Sequence, residues 1–130
     1  GADGAQLGPA FIACPETVAT DAHRALLASG ETPTEVTAVV SGRPARGFTN
    51  KYMEKFRGNE EPIPAFPIAY DANKSFAGAA KNAGQGGYAT MWAGQAAALS
   101  QAMPAAALVE HLTQETIDEV RRLTEIIAAS

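Results

Sequence analysis

Gly1-Ala2-Asp3-Gly4-Ala5-Gln6-Leu7-Gly8-Pro9-Ala10-Phe11 opens the chain, and the order of residue types in it decides the fold class. Ala5 and Leu7 are apolar with Gln6 between them, which reads as a short buried strand. Gly8 and Pro9 end that strand where a backbone can approach a ligand, and a helix follows. Strand, glycine turn and helix start, in that order, suit a phosphate, because exposed N–H groups and the positive end of a helix face the anion. Glycine also ends many strands for steric reasons alone, and this stretch by itself leaves both readings open.

At 130 residues the chain has the size of one domain with a modest core. It is 46% hydrophobic and 18% charged, which is globular rather than disordered. A net charge of −4 argues against a general binder of nucleic acid or anionic membrane. No apolar run approaches the roughly 20 residues of a membrane-crossing helix. Cys14 is the only cysteine, so no internal disulfide can form, and a reducing, cytoplasmic setting is the simplest expectation. Cys14, His23 and His111 are too scattered to suggest a zinc or iron site. The N-terminus lacks the pattern of a signal peptide, and its start without Met reads as a cut inside a strand.

Along the chain, Thr20 or Asp21 can cap a helix through 22–28 that Gly30 ends. His23 falls in its first turn and reads as a partly exposed helix histidine rather than a general base. Cys14 reads as a small buried apolar residue. The β-branched run 34–40 reads as a strand, and Ser41-Gly42-Arg43-Pro44-Ala45-Arg46-Gly47 cannot sustain a helix. Arg43, Arg46, Lys51, Lys55 and Arg57 are five of the ten basic residues. They read as a solvated face, as guanidiniums anchoring carbonyls and carboxylates across a joint, or, as a smaller share, as direct capture of a ligand phosphate.

Thr49 or Asn50 can cap a short helix, 51–56, closed by Gly58. Pro62, Pro64 and Pro67 make an extended connector, with Phe66 and Ile68 expected to pin it to the body. A helix is expected from Asp71 or Asn73 to near Gly84, another from Gln95 or Ala96, and Pro104 suits a helix start. A last helix, from about Gln114 to Ala128, carries Ile117, Val120, Leu123 and Ile127 on one side. Trp92 and Tyr88 read as core or interface anchors. The residues alone support an α/β domain with a possible anion-binding turn.

Three segments together resemble the nitronate monooxygenases, the flavin enzymes formerly called 2-nitropropane dioxygenases. They are the opening stretch through Phe11, the segment Ser41 to Gly47, and Trp92-Ala93-Gly94-Gln95, in the family's order and at about its spacing. The resemblance spans nearly the whole chain but only the C-terminal part of such an enzyme. It implies an α/β fold, the C-terminal part of a (β/α)8 TIM-type barrel holding flavin mononucleotide (FMN), with a small inserted substrate domain. By that likeness residues 1–29 are the closing strand and helix of the barrel, 30–87 a substrate-domain segment, and 88–130 the C-terminal helices returning to the barrel.

The implied reaction is oxidation of alkyl nitronates by O2 to carbonyl compounds and nitrite. The implied cofactor-binding residues are Gly8 and Pro9 at the flavin phosphate, over the last strands of the barrel, and Gly94 and Gln95 at a second turn. The catalytic histidine and seven barrel strands would lie upstream, so the chain supplies no catalytic residue. The remainder of the barrel is then its first partner, and a homodimer is left open. Position nine departs from the family, whose members commonly carry Thr there; Pro9 has neither N–H nor hydroxyl. An FMN-dependent enoyl-ACP reductase, with a related barrel and an Ala-Gly-Gln turn, is the alternative enzyme, and the segment from Arg43 to Gly47 favours the first. A non-catalytic interaction fragment is the alternative for the isolated chain, driven by Val36, Val39 and Val40 or by Ala5 and Leu7.

Overall fold

The computed structural model describes residues 4–31, 33–59 and 62–129. Gly1-Ala2-Asp3 of the opening stretch and Glu60 and Glu61 of the connector lie outside the described residues. The order of elements is α1 (Pro9–Ile12), α2 (Asp21–Ser29), β1 (Thr34–Thr37), β2 (Ala45–Phe48), α3 (Lys51–Phe56), α4 (Ile68–Asn82) and α5 (Ala105–Ala128). Short 3-10 turns at Gly86–Tyr88 and Ala97–Leu99 lie between α4 and α5.

The helix ends follow the local chemistry. The Thr20 hydroxyl accepts from the His23 N–H at 3.3 Å to start α2, and Gly30, at φ 67°, ends it. Asn50 does the same for α3 through the Met53 N–H at 2.9 Å, and its amide also donates to the Ala89 carbonyl. Arg24 was not singled out by sequence, yet its guanidinium donates to the carbonyls of Cys14, Thr17 and Ala19 and so closes the loop between α1 and α2.

β1 and β2 form an antiparallel hairpin in which Thr34 faces Phe48 and Thr37 faces Ala45. The expected strand 34–40 stops at Thr37, because Val39 and Val40 turn inward to pack with Met53. β2 was not expected. It is held on its far side by residues 91–93, where Phe48 N–H donates to the Met91 carbonyl at 2.9 Å and Ala93 N–H to the Arg46 carbonyl at 3.2 Å. That approach needs Gly47, since an added Cβ would lie 2.9 Å from the Met91 oxygen.

Residues from all three implied parts of the chain share one core: Ala13 and Leu27, then Phe48, then Met91, Ala93 and Ala97. Burying each large apolar side chain in such a cluster contributes about 1.5–3 kcal/mol.

Several expectations are corrected. Residues 4–7 are exposed and form no strand, because a strand needs a hydrogen-bonding neighbour and no described segment pairs with them. Phe66 and Ile68 are exposed rather than buried; Phe66 has Arg43 over its ring, and Ile63 is the connector residue that packs on the Val39–Met53 cluster. α4 begins at Ile68, three residues before Asp71. No helix forms at Gln95 or Ala96; the chain makes only the 3-10 turn at Ala97–Leu99. The helix expected to start at Pro104 and the last helix expected from about Gln114 are one continuous helix, Ala105–Ala128, since nothing between Pro104 and Gln114 interrupts it. No described helix is long and apolar enough to cross a membrane.

Candidate functional site

Gly8 precedes α1 with φ −94°, a value open to any residue. Its carbonyl accepts from the Phe11 and Ile12 N–H groups at 3.1 and 3.2 Å, which closes the turn. Pro9 has no N–H to give, so the outward donors of this turn are the N–H groups of Gly8 and Ala10. Neither is bonded to another described residue.

The second turn is positioned by β2. The backbone bridge between Gly47 and Trp92 fixes residues 91–93 along the sheet edge, and Gly94 then accepts from the Ala97 N–H at 3.1 Å. Gly94 and Gln95 are exposed. α5 supplies a third wall through Leu108, His111, Leu112 and Glu115, spaced to share one face of a helix. Its start is tied down where Ala105 N–H donates to Glu16 Oε1 at 2.9 Å, and Leu108 is buried.

These three walls line a half-open cavity of about 540 Å³, and Gly8, Pro9, Gly94 and Gln95 are all on it. The four site residues expected from sequence, 87 positions apart at most in numbering, are thus brought to one place. The volume is within the range of roughly 300–1,000 Å³ usual for small-molecule and cofactor sites. Leu7, Leu99, Leu108 and Leu112 give an apolar lining, and Gln6, Gln95, Ser100 and Gln101 place hydrogen-bonding groups among them. A Cβ built on Gly8 or Gly94 would meet no protein atom within 4 Å. Neither glycine is required by packing inside the chain; what both leave clear is space on the cavity wall. A flat, partly apolar cofactor with an anionic end fits that donor set.

Sequence reasoning missed the α5 wall. His111 Nε2 lies 3.3 Å from Glu115 Oε1, and these are the only ionisable side chains among the described residues of the lining. The signal was present as the spacing of residues 108, 111, 112 and 115, but a helix placed to begin at Gln114 hides it.

His23 does not line this cavity. It is half-buried, its Nε2 donates to the Trp92 carbonyl at 3.2 Å, and its ring meets Phe48 edge-on. Burial pushes its pKa below the ordinary value, partly opposed by that hydrogen bond. The structural reading of His23 stands. Arg46 reaches the Thr34 carbonyl and hydroxyl at 2.9 and 3.3 Å, and Arg43 lies over the Phe66 ring; neither lines the cavity.

A cavity of cofactor size, lined by a sheet-edge turn and a helix-start turn, is what this α/β chain presents, and no group of metal-holding side chains is found among the described residues. The sequence model of the nitronate monooxygenase family matches residues 1–115, and the chain belongs to that family of oxidoreductase enzymes. It is 45% identical over 127 residues to a nitronate monooxygenase of Paraburkholderia phytofirmans, covering 96% of this chain and 35% of that protein. It is 40% identical over 117 residues to a nitronate monooxygenase of Pseudomonas aeruginosa, covering 88% of this chain and 33% of the relative. In structure it is similar to nitroalkane oxidase from Streptomyces ansochromogenes, with a TM-score of 0.81, 33% identity, and coverage of 95% of this chain and 35% of that one. The likeness gives this chain the fold of the C-terminal part of a TIM-barrel enzyme. The chain spans about a third of the length of the relatives it matches.

Proposed function

We infer that the chain is the C-terminal third of an FMN-dependent nitronate monooxygenase, which oxidises alkyl nitronates with O2 to carbonyl compounds and nitrite. The observation that carries this reading is the convergence of Gly8, Pro9, Gly94 and Gln95 on one cavity of about 540 Å³. Family membership supports a flavin in it. When bound, the flavin supplies the redox chemistry between nitronate and oxygen.

The residues of this chain bind and shield rather than react. Gly8 and Ala10 N–H groups hold the phosphate, and the small side of Gly94 lets the backbone lie close to the flat ring. Gln95 is within the same lining and offers an amide to polar ring atoms. Leu99, Leu108 and Leu112 keep water from the apolar part. The catalytic histidine belongs to the upstream two-thirds. In the whole enzyme residues 1–29 close the barrel, where neighbouring strands supply the partners that residues 4–7 lack here. Residues 30–87 contribute the substrate domain and 88–130 return to the barrel. The enzyme is taken to be cytoplasmic.

Nitrite release from propyl nitronate by the full-length protein tests the reading. NAD(P)H-dependent reduction of a crotonyl thioester with no nitrite would replace it with the enoyl-ACP reductase alternative.

A further inference from the structure

We propose that His111, held by Glu115 on the cavity wall, is the cationic contact for the phosphate of the bound flavin. This rests on the flavin reading above and adds to it a residue from a different element, α5.

An anionic ligand end in this cavity meets few charges. No Lys or Arg is among the described lining residues, and Glu115 is the only other ionisable side chain on it. Pro9 removes one backbone donor from the opening turn. His111 is therefore the sole side chain among the described lining residues able to carry positive charge. Its geometry suits the task. Leu108, one turn earlier, is buried, and Glu16 holds the first residue of the helix, so the turn that presents His111 is fixed at its base. Glu115, one turn later, engages Nε2 at 3.3 Å and sets the ring's orientation. An imidazolium donates from both nitrogens, which leaves Nδ1 for the ligand. The side chain is 42% exposed and is part of the cavity lining.

An exposed i,i+4 His–Glu pair is ordinarily a surface ornament worth little. What sets this pair apart is that both members line the same cavity as Gly8 and Gly94.

The test uses the full-length enzyme freed of flavin and titrated with FMN and with riboflavin, which lacks the phosphate, followed by flavin fluorescence. Wild type should prefer FMN. His111→Gln should weaken FMN binding by about tenfold or more while leaving riboflavin unchanged, and His111→Arg should keep the preference for FMN. Riboflavin binding doubles as the control for folding. An FMN-to-riboflavin affinity ratio in His111→Gln equal to that of wild type, or a parallel loss of both flavins, overturns the inference and leaves the FMN reading standing. A wild type that binds neither flavin overturns the FMN reading itself.

Discussion

His23 and Trp92, 69 residues apart in the chain, are joined by a hydrogen bond of 3.2 Å from the imidazole Nε2 to the backbone carbonyl. It fastens α2 to the segment that leads into Gly94 and Gln95, and so links the packing of the first helices to the geometry of the cavity. Burial favours the neutral ring, holding its pKa below 6.5 in the folded protein. The unfolded chain then binds more protons between the two values, so stability rises with pH there. His23 should contribute stability fully above about pH 6.5 and lose it as pH falls through the folded pKa. His23→Ala should cost about 1–2 kcal/mol at pH 8 and flatten the acid side of the stability profile. Denaturant unfolding of the full-length protein at pH 5, 6.5 and 8 reads both effects.

Arg46 and Arg43 differ more than their shared turn suggests. Arg46 is half-buried and donates to the Thr34 carbonyl and hydroxyl across the hairpin. Arg43 is exposed and makes a cation–π contact with Phe66 at 4.7 Å. Arg46→Ala should cost about 1.5–3 kcal/mol of stability, and Arg43→Ala about 0.5–1 kcal/mol. Turnover of the flavin-loaded enzyme should change proportionally less than stability in both. An unchanged melting temperature with turnover reduced by more than about tenfold, a loss of roughly 1.4 kcal/mol, would assign the arginines to substrate or flavin instead.

The isolated chain should associate. Val36 is 56% exposed, and Ile117, Val120, Leu123 and Ile127 leave one side of α5 open. Val39 and Val40, expected to share in this, are 1% exposed and take no part. Light scattering on the purified 130-residue chain should give particles larger than a monomer. A compact, monodisperse monomer would count against that expectation.

Local chemistry was the legible part of the fold. Thr20, Asn50, Gly30 and Pro104 fix helix ends by hydrogen bonds or backbone angles that reach only a few residues, and each sits where its residue type requires. β2 was not legible, because Ala45-Arg46-Gly47-Phe48 has no strand pattern and is held by residues 34–37 on one side and 91–93 on the other. The opposite error occurred at Ala5–Leu7, where a strand pattern finds no neighbour among the described residues. In the site, Gly8 and Gly94 could be singled out from small residues at turns. His111 could not, because its meaning comes from α5 lying against two loops distant in sequence.

Gly8 carries the central claim, and its surroundings make a clean test. A Cβ there meets no protein atom within 4 Å and φ is −94°, so Gly8→Val should leave the fold intact. In the full-length enzyme the branched side chain would instead occupy the place of the flavin phosphate. Pro9→Thr restores an N–H and adds a hydroxyl, and should tighten flavin binding by up to about 3 kcal/mol. The deciding measurement is flavin fluorescence retained through dialysis by wild type, Gly8→Val and Pro9→Thr side by side. Loss of flavin from Gly8→Val with its melting curve otherwise preserved is the predicted result. Full retention would contradict the account and leave Gly8 as an ordinary turn residue.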